Sequence, residues 1–129
     1  MIAYGTRVHA AEEAAAELAA EGLSVAVLNA RFAKPLDEER ILALARRVRG
    51  VVTVEEHAGI GGFGSAVLEL LASRGIQRPT RCLGVPDRWV EQGDPRAQRE
   101  AMGLEPVGIA AAVRDVLGVC PPAEAGGAH

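Results

Sequence analysis

Short apolar runs alternate along the chain with stretches in which apolar residues recur at helical spacing. The runs predict four strands, at residues 2–4, 23–28, 51–54 and 80–85. The third run has no polar alternation, which is typical of a central strand buried on both faces. Strands that alternate with helices predict an α/β fold, a three-layer α/β/α sandwich around a mostly parallel sheet.

Capping signals mark where the predicted helices begin and end. Thr6 is placed to cap the first helix, which Gly22 ends, and Asp37 is placed to cap the second, which Gly50 closes. The third helix covers residues 65–73. Asp94 followed by Pro95 opens a fourth helix that runs to Met102, and the last covers about 106–117. Residues 1–118 form one domain, and the tail 119–129, poor in large apolar residues, is predicted to be flexible.

Composition narrows the classes of partner. A net charge of −3 argues against a phosphate-backbone partner, and 3% aromatic residues leave no stacking platform for single-stranded nucleic acid. No apolar run approaches the length of a membrane span, and no secretory signal pattern is present, so we expect a cytoplasmic protein without membrane contact. Cys82 and Cys120 lack metal-ligand spacing, so we expect reduced, partly buried thiols.

The stretch VTVEEHAGIGGFGSAV, residues 52–67, runs from a strand through a glycine loop into a helix. Gly59, Gly61 and Gly64 have the G-x-G-x-x-G spacing of dinucleotide-binding loops, and Asp87 lies where a ribose-binding acid would be sought. However, residues 55–58 separate the predicted strand from the first glycine, and two carboxylates there would repel phosphates. We therefore favour the interpretation that the glycines allow close packing of loop and helix.

Glu55, Glu56 and His57 stand where α/β sheets present catalytic groups, so an acid–base role is one alternative. No nucleophile lies beside them and no metal-ligand spacing completes them. We favour carboxylates that cap loop amides or pair with a basic residue such as Arg31 or Arg88. For Trp89, an interface anchor and packing against the body of the domain are equally open.

Five blocks, in this order, resemble the C-terminal domain of the transketolase family: AYGT, NARFAKPLDEERI, VTVEEHAGIGGFGSAVLELL, LGVPDRWVEQGDP and GLEPVGIAAAV. The resemblance covers about residues 2–117 and is strongest to the 1-deoxy-D-xylulose-5-phosphate synthase branch. His57, Trp89 and Gln92 depart from the residues usual there. These departures leave open the C-terminal part of a 2-oxoacid dehydrogenase β chain.

The resemblance implies a thiamine-diphosphate-dependent enzyme that joins pyruvate to glyceraldehyde 3-phosphate in isoprenoid precursor synthesis. Two preceding domains of that enzyme would hold thiamine diphosphate and Mg²⁺, while this domain is structural and helps to build a homodimer. We therefore assign no catalytic, cofactor-binding or metal-binding residue to the chain and expect it to be inactive alone. The candidate interdomain or interface residues are Glu55, Glu56, His57, Asp87, Arg88 and Trp89.

The family fold implies the strand order 2-1-3-4, all parallel, with a crevice between Gly5–Thr6 and Glu55–His57. We expect this crevice to receive backbone or a basic residue from a neighbouring domain, not a nucleotide. Met1 within a predicted strand favours a trimmed piece of a longer protein, and an interaction subunit of a split transketolase-like enzyme is the alternative. The strand at residues 24–29 would then be an exposed edge, able to pair in an artificial dimer.

Overall fold

The computed structural model describes residues 1–121, and the part of the predicted tail at 122–129 lies outside them. The described chain contains one four-stranded sheet of order β2-β1-β3-β4 in which every neighbouring pair is parallel. The predicted order is therefore confirmed. The elements are β1 (Ile2–Ala3), α1 (Arg7–Ala20), β2 (Leu28–Asn29), α2 (Glu38–Arg47), β3 (Val51–Ala58), α3 (Phe63–Ser73), β4 (Thr80–Val85), α4 (Pro95–Ala101) and α5 (Pro106–Leu117).

The sheet lies between two helical layers, as predicted. On one face, Ala3, Val52 and Val54 pack against the apolar stripes of α1 and α5. On the other face, Ile2 and Val51 pack against α2 and α3. Successive side chains of a strand point to opposite faces, so short runs without polar alternation supply both cores.

β2 is much shorter than predicted, because only Leu28 and Asn29 have partners in β1. Residues 23–27 are not assigned to a strand. The amides of Leu28 and Ala30 donate to β1, at 2.9 Å to Met1 O and 2.9 Å to Ala3 O respectively. β2 lies at the edge of the sheet, and the amide of Asn29 faces away from β1.

β3 is longer than predicted and includes Glu55, Glu56, His57 and Ala58. Its pairing with β4 shifts register between Val54 and Ala58, and Ala58 again lies opposite Val85. Backbone pairing with β4 continues the strand after the apolar run has ended. The end of hydrophobicity therefore did not mark the end of the strand.

Local capping signals had mixed outcomes. Asp37 accepts from the amide of Arg40 at 3.3 Å and Asp94 from that of Ala97 at 2.9 Å, so both predicted caps are confirmed. Thr6 precedes α1 but makes no side-chain cap, so that prediction is wrong; its hydroxyl donates to Glu56 instead. Cys82 is partly buried as expected, whereas Cys120 is exposed.

Candidate functional site

The four strands run in the same direction, so the loops that follow them meet at one edge of the sheet. This edge carries all six candidate residues of the sequence analysis. The structure separates them into two groups. Glu55 and Glu56 are engaged by other groups of this chain, whereas His57, Asp87, Arg88 and Trp89 are exposed.

The Glu55 carboxylate lies at the N-terminus of α3. The side chain is 1% exposed, and its Oε2 accepts from the amide of Gly64 at 2.8 Å. The expected capping of loop amides is thus confirmed for Glu55. Within residues 1–121, neither Glu55 Oε1 nor the buried hydroxyl of Thr53 has a hydrogen-bond partner. Burial raises the pKa of the Glu55 carboxyl, while the amides of Gly64 and Phe63 and the nearby His57 oppose that rise.

This carboxylate bears on the dinucleotide alternative. Because β3 extends to Ala58, Gly59 follows the strand directly, so the argument that intervening residues displace the glycine loop was wrong. The amide of Gly64, however, is already bonded to a buried carboxylate. A diphosphate at the N-terminus of α3 would lie against that carboxylate, so the residues present do not fit thiamine diphosphate or a dinucleotide.

The glycines of the loop have different geometric roles. Gly61 has φ +74°, a left-handed conformation that favours glycine. A Cβ on Gly64 would lie 2.5 Å from Thr53 Oγ1 and 2.9 Å from both Cβ and Sγ of Cys82. A Cβ on Gly59 would meet only ordinary contacts, the nearest at 3.5 Å. The predicted close packing of helix and sheet therefore occurs at Gly64, the third glycine of the motif.

Replacing Glu55 by glutamine is expected to stabilise the fold at neutral pH. The folded-state pKa of Glu55 lies above its ordinary value, so the folded chain holds a proton that the unfolded chain has released, and stability falls as pH rises above about 4.5. Glutamine keeps an acceptor for Gly64 and carries no charge. We expect Glu55→Gln to gain about 1–2 kcal/mol at pH 8 and little at pH 4, the order of an unsatisfied buried group.

Urea unfolding of Glu55→Gln and the natural chain at several pH values between 4 and 8 would measure this difference. Glu38→Gln is a matched control, because Glu38 pairs with Arg74 on the exposed surface. A gain of stability that did not depend on pH would contradict the assignment of the effect to the buried charge.

Glu56 lies in a network of two arginines and two glutamates. Its Oε1 is 3.7 Å from Arg7 Nε and 3.5 Å from Arg99 Nη1. The predicted pairing with a basic residue is therefore confirmed, but the partners are Arg7 and Arg99 and not Arg31 or Arg88. Glu56 and Glu55 point to opposite faces of β3, and the face of Glu56 is covered by α1 and by the chain around α4.

Arg7 and Arg99 extend this network to Glu105, the residue before α5. Arg99 Nε donates to Glu105 Oε1 at 2.7 Å, and Arg7 Nη1 lies 3.3 Å from the same oxygen and donates to Leu104 O at 3.1 Å. The hydrogen bond from Arg99, aided by Arg7, lowers the pKa of the Glu105 carboxyl. The network joins α1, β3, α4 and the start of α5.

Sequence reasoning missed Arg7, Arg99 and Glu105 as members of this site. Glu105 stands at the N-cap position of α5, but its side chain makes no cap hydrogen bond. Its carboxylate binds the two arginines instead. The sequence held one weak indication that Arg7 belongs to the site. It is a charged residue at the start of an alanine-rich helix, on the face that becomes buried.

Tyr4, at the end of β1, joins His57 to the interior. Its ring stacks on the buried Phe63 with centroids 5.3 Å apart and lies 5.6 Å from the ring of His57, tilted by 45°. Together with the hydrogen bond from Thr6 to Glu56, this stack links the ends of β1 and β3 at the predicted crevice.

Large apolar side chains are exposed in the loops at the same edge. Phe32 follows β2 and is 66% exposed, Ile60 follows β3 and is 74% exposed, and Trp89 follows β4 and is 100% exposed. Packing of Trp89 against the body of the domain is therefore excluded. We call these residues and the charges beside them, Arg31, Lys34, Asp87, Arg88 and Glu91, the sheet-end surface. Within the described part of the chain, none of these five charged side chains forms an ion pair.

A cavity of about 620 Å³ lies at the opposite edge of the sheet, where β1 and β3 begin. Its lining is mixed, with the apolar residues Met1, Leu23, Val48, Val116 and Leu117 beside Arg47 and Arg49. Residues 1–121 contain no group of three His, Cys, Asp or Glu side chains that could hold a metal ion. None of the helices described there is long and apolar enough to cross a membrane.

Comparison with known proteins places the chain in a family. Residues 1–109 match the family model described as "Transketolase, C-terminal domain". The 1-deoxy-D-xylulose-5-phosphate synthase of Gloeobacter violaceus is 48% identical over 121 residues, 94% of this chain and 19% of that protein. The 1-deoxy-D-xylulose-5-phosphate synthase 1 of Geobacter metallireducens is 51% identical over 118 residues, which are 91% of this chain and 19% of that protein. This chain thus spans less than a fifth of the length of these relatives.

A solved structure has the same fold. The chain titled "Split gene transketolase, inactive beta4 tetramer" superposes with a TM-score of 0.81 at 39% identity, over 92% of this chain and 37% of that one. The strand order and the two helical layers agree with the match to the family model. The chain belongs to the transketolase C-terminal domain family.

Proposed function

We propose that the chain is the C-terminal domain of a 1-deoxy-D-xylulose-5-phosphate synthase. The enzyme would join pyruvate to glyceraldehyde 3-phosphate, using thiamine diphosphate and Mg²⁺ held by its other domains. The observation that carries this proposal is the identity of 48–52% to three such synthases over 88–94% of the chain.

The role of the domain within that enzyme is assembly, not chemistry. The buried Glu55 carboxylate at the N-terminus of α3 disfavours a phosphate there. The negative charge of Glu56 is balanced by Arg7 and Arg99. The groups left for contact are His57, Asp87, Arg88 and Trp89, together with Phe32 and Ile60. Their partners would be the two preceding domains or the second protomer of a homodimer.

A domain exchange tests the proposal. The C-terminal domain of the Gloeobacter violaceus synthase is replaced by residues 1–121 of this chain, and formation of 1-deoxy-D-xylulose 5-phosphate from both substrates is measured. We expect the exchanged enzyme to be active and the enzyme without this domain to lose activity. A folded but inactive exchange protein, or turnover of pyruvate by the 129-residue chain alone, would contradict the proposal.

A second candidate is an interaction subunit of a split transketolase-like enzyme. It is favoured by the likeness to the solved structure whose title names a split-gene transketolase and an inactive β4 tetramer. The two candidates differ in the gene. A reading frame that continues upstream of the Met1 codon through two further domains supports the synthase, whereas a start at that codon with a separate partner gene supports the split enzyme.

A further inference from the structure

The unpartnered oxygen of Glu55 lies beside a second acceptor. A Cβ added to Gly62 would overlap both Glu55 Oε1 and Ala58 O, so the two oxygens border the same small space at Gly62. An ionised carboxylate and a backbone carbonyl are both acceptors and repel each other at close range. A proton on Oε1 would turn this repulsion into a hydrogen bond.

The carbonyl of Ala58 is turned away from the neighbouring strand. The amide of Gly59 donates to Val85 O in β4 at 2.9 Å, and the peptide bond between Ala58 and Gly59 is trans. In a trans peptide unit the C=O and the N–H point in opposite directions, so Ala58 O points away from β4. Pairing with β4 therefore does not use this carbonyl.

We propose that the protonated carboxyl of Glu55 holds the glycine loop, residues 59–62, closed through two hydrogen bonds. Its Oε1–H donates to Ala58 O, and its Oε2 accepts from the amide of Gly64. We call this pair of bonds the Glu55 clasp. The clasp joins the end of β3 to the first turn of α3, and ionisation of the carboxyl removes one of its two bonds. This inference goes beyond the proposed function and is tested on the chain itself.

The surroundings of Glu55 favour a neutral carboxyl. The titratable side chains around this end of α3 are Tyr4 from β1, His57 from β3 and Cys82 from β4. The first turn of α3, Phe-Gly-Ser-Ala, adds no charged residue. Within residues 1–121, Glu55 forms no ion pair. A buried carboxyl without a paired cation is stabilised by keeping its proton, although His57 opposes this when it is charged.

The glycine loop has one other side-chain anchor. The hydroxyl of Ser65 accepts from the amide of Gly61 at 2.9 Å and donates to Gly59 O at 3.4 Å. Gly61 has φ +74°, and the glycines of the loop give its backbone freedom to move when an anchor is lost. The loop carries Ile60 into the sheet-end surface. The order of this part of the surface is therefore expected to follow the proton on Glu55.

A carbon-13 NMR titration of the side-chain carboxyls in the 129-residue chain tests the protonation. Glu55 is expected to titrate at a higher pH than Glu39, an exposed residue of α2 that forms no ion pair within the described part of the chain. A midpoint for Glu55 at or below that of Glu39 would overturn the proposal.

Hydrogen exchange tests the clasp. The amides of Gly61 and Gly64 are expected to lose up to tenfold in protection per pH unit between about pH 4.5 and the midpoint of Glu55, because the open loop releases the proton. Glu55→Gln is expected to keep their protection constant over this range. Its side-chain NH₂ donates to Ala58 O and its carbonyl accepts from Gly64, so both bonds persist without a titratable group.

Two controls separate the clasp from other causes. The amide of Val51, bonded to Pro79 O at 2.9 Å at the other end of β3, reports opening of the whole domain. Glu55→Ala removes the charge together with both bonds and is expected to lower the protection of Gly61 and Gly64 at every pH, while circular dichroism checks that it folds. Full protection in Glu55→Ala, or Gly61 and Gly64 protected as strongly as Val51 with the same pH dependence, would overturn the inference. A pH-dependent loss of protection in Glu55→Gln would do the same.

Discussion

Gly64→Ala is expected to lower the free energy of unfolding by about 2–3 kcal/mol, although alanine is the better helix former. The added Cβ would lie 2.5 Å from Thr53 Oγ1 and 2.9 Å from the side chain of Cys82. Thr53 is fully buried in β3, so α3 must move away from the sheet to relieve the contact. Guanidinium unfolding followed by circular dichroism gives the difference.

Gly59→Ala is the matched control within the same motif. Its Cβ would make ordinary contacts and its φ is not left-handed, so the expected change is below 1 kcal/mol and can be a small gain. The pair tests whether glycine is required where helix and sheet touch. A strong effect at Gly59 with none at Gly64 would contradict the packing role.

The architecture could be predicted because its signals are local and repeated. Apolar runs without alternation, such as residues 51–54, occur at strands that are buried on both faces, and helical periodicity marks the covering layers. Asp37 and Asp94 cap as predicted, since a short acidic side chain before a helix reaches an amide three residues on. The order of the strands came from the family resemblance, which periodicity alone does not supply.

The site was only partly predictable, because its partners come together through tertiary packing. Nothing near Glu56 in the sequence indicates Arg7 or Arg99, which reach it from α1 and α4. Thr6 shows the same effect: its hydroxyl has a local capping role available but bonds to Glu56 across the strands. The two adjacent glutamates look alike in sequence, yet alternation along β3 sends one to the amide of Gly64 and the other to two arginines.

Exposure was the other quantity that sequence could not give. Trp89 had two open interpretations, and its complete exposure in the structure removes the packing interpretation. Phe32 and Ile60 were not predicted as contact residues, because single apolar residues in loops are common. The parallel sheet brings their loops to the edge that also carries Trp89, and this placement could not be read from the sequence.

The largest single effect of a side-chain removal is expected for Arg7→Met, about 3 kcal/mol of lost stability. Arg7 is 8% exposed, and its loss removes a donor from Leu104 O and leaves Glu56 and Glu105 with Arg99 as their shared cation. Removing one member of a buried charged group costs about 3–5 kcal/mol, and the partly exposed glutamates put this case at the low end. Methionine keeps most of the apolar stem, so the cost is chiefly electrostatic.

The pH dependence distinguishes this electrostatic cost from lost packing. The folded-state pKa of Glu105 lies below its ordinary value, so its contribution to stability is present above about pH 4.5 and is lost as pH falls through the folded-state pKa. The deficit of Arg7→Met should therefore shrink as pH falls from about 4.5 through the folded-state pKa of Glu105. Arg96→Met, which removes an exposed pair with Glu100, should cost less than about 0.5 kcal/mol. An equal deficit at pH 3.5 and pH 7 would mean that Arg7 acts through packing and not through its charge.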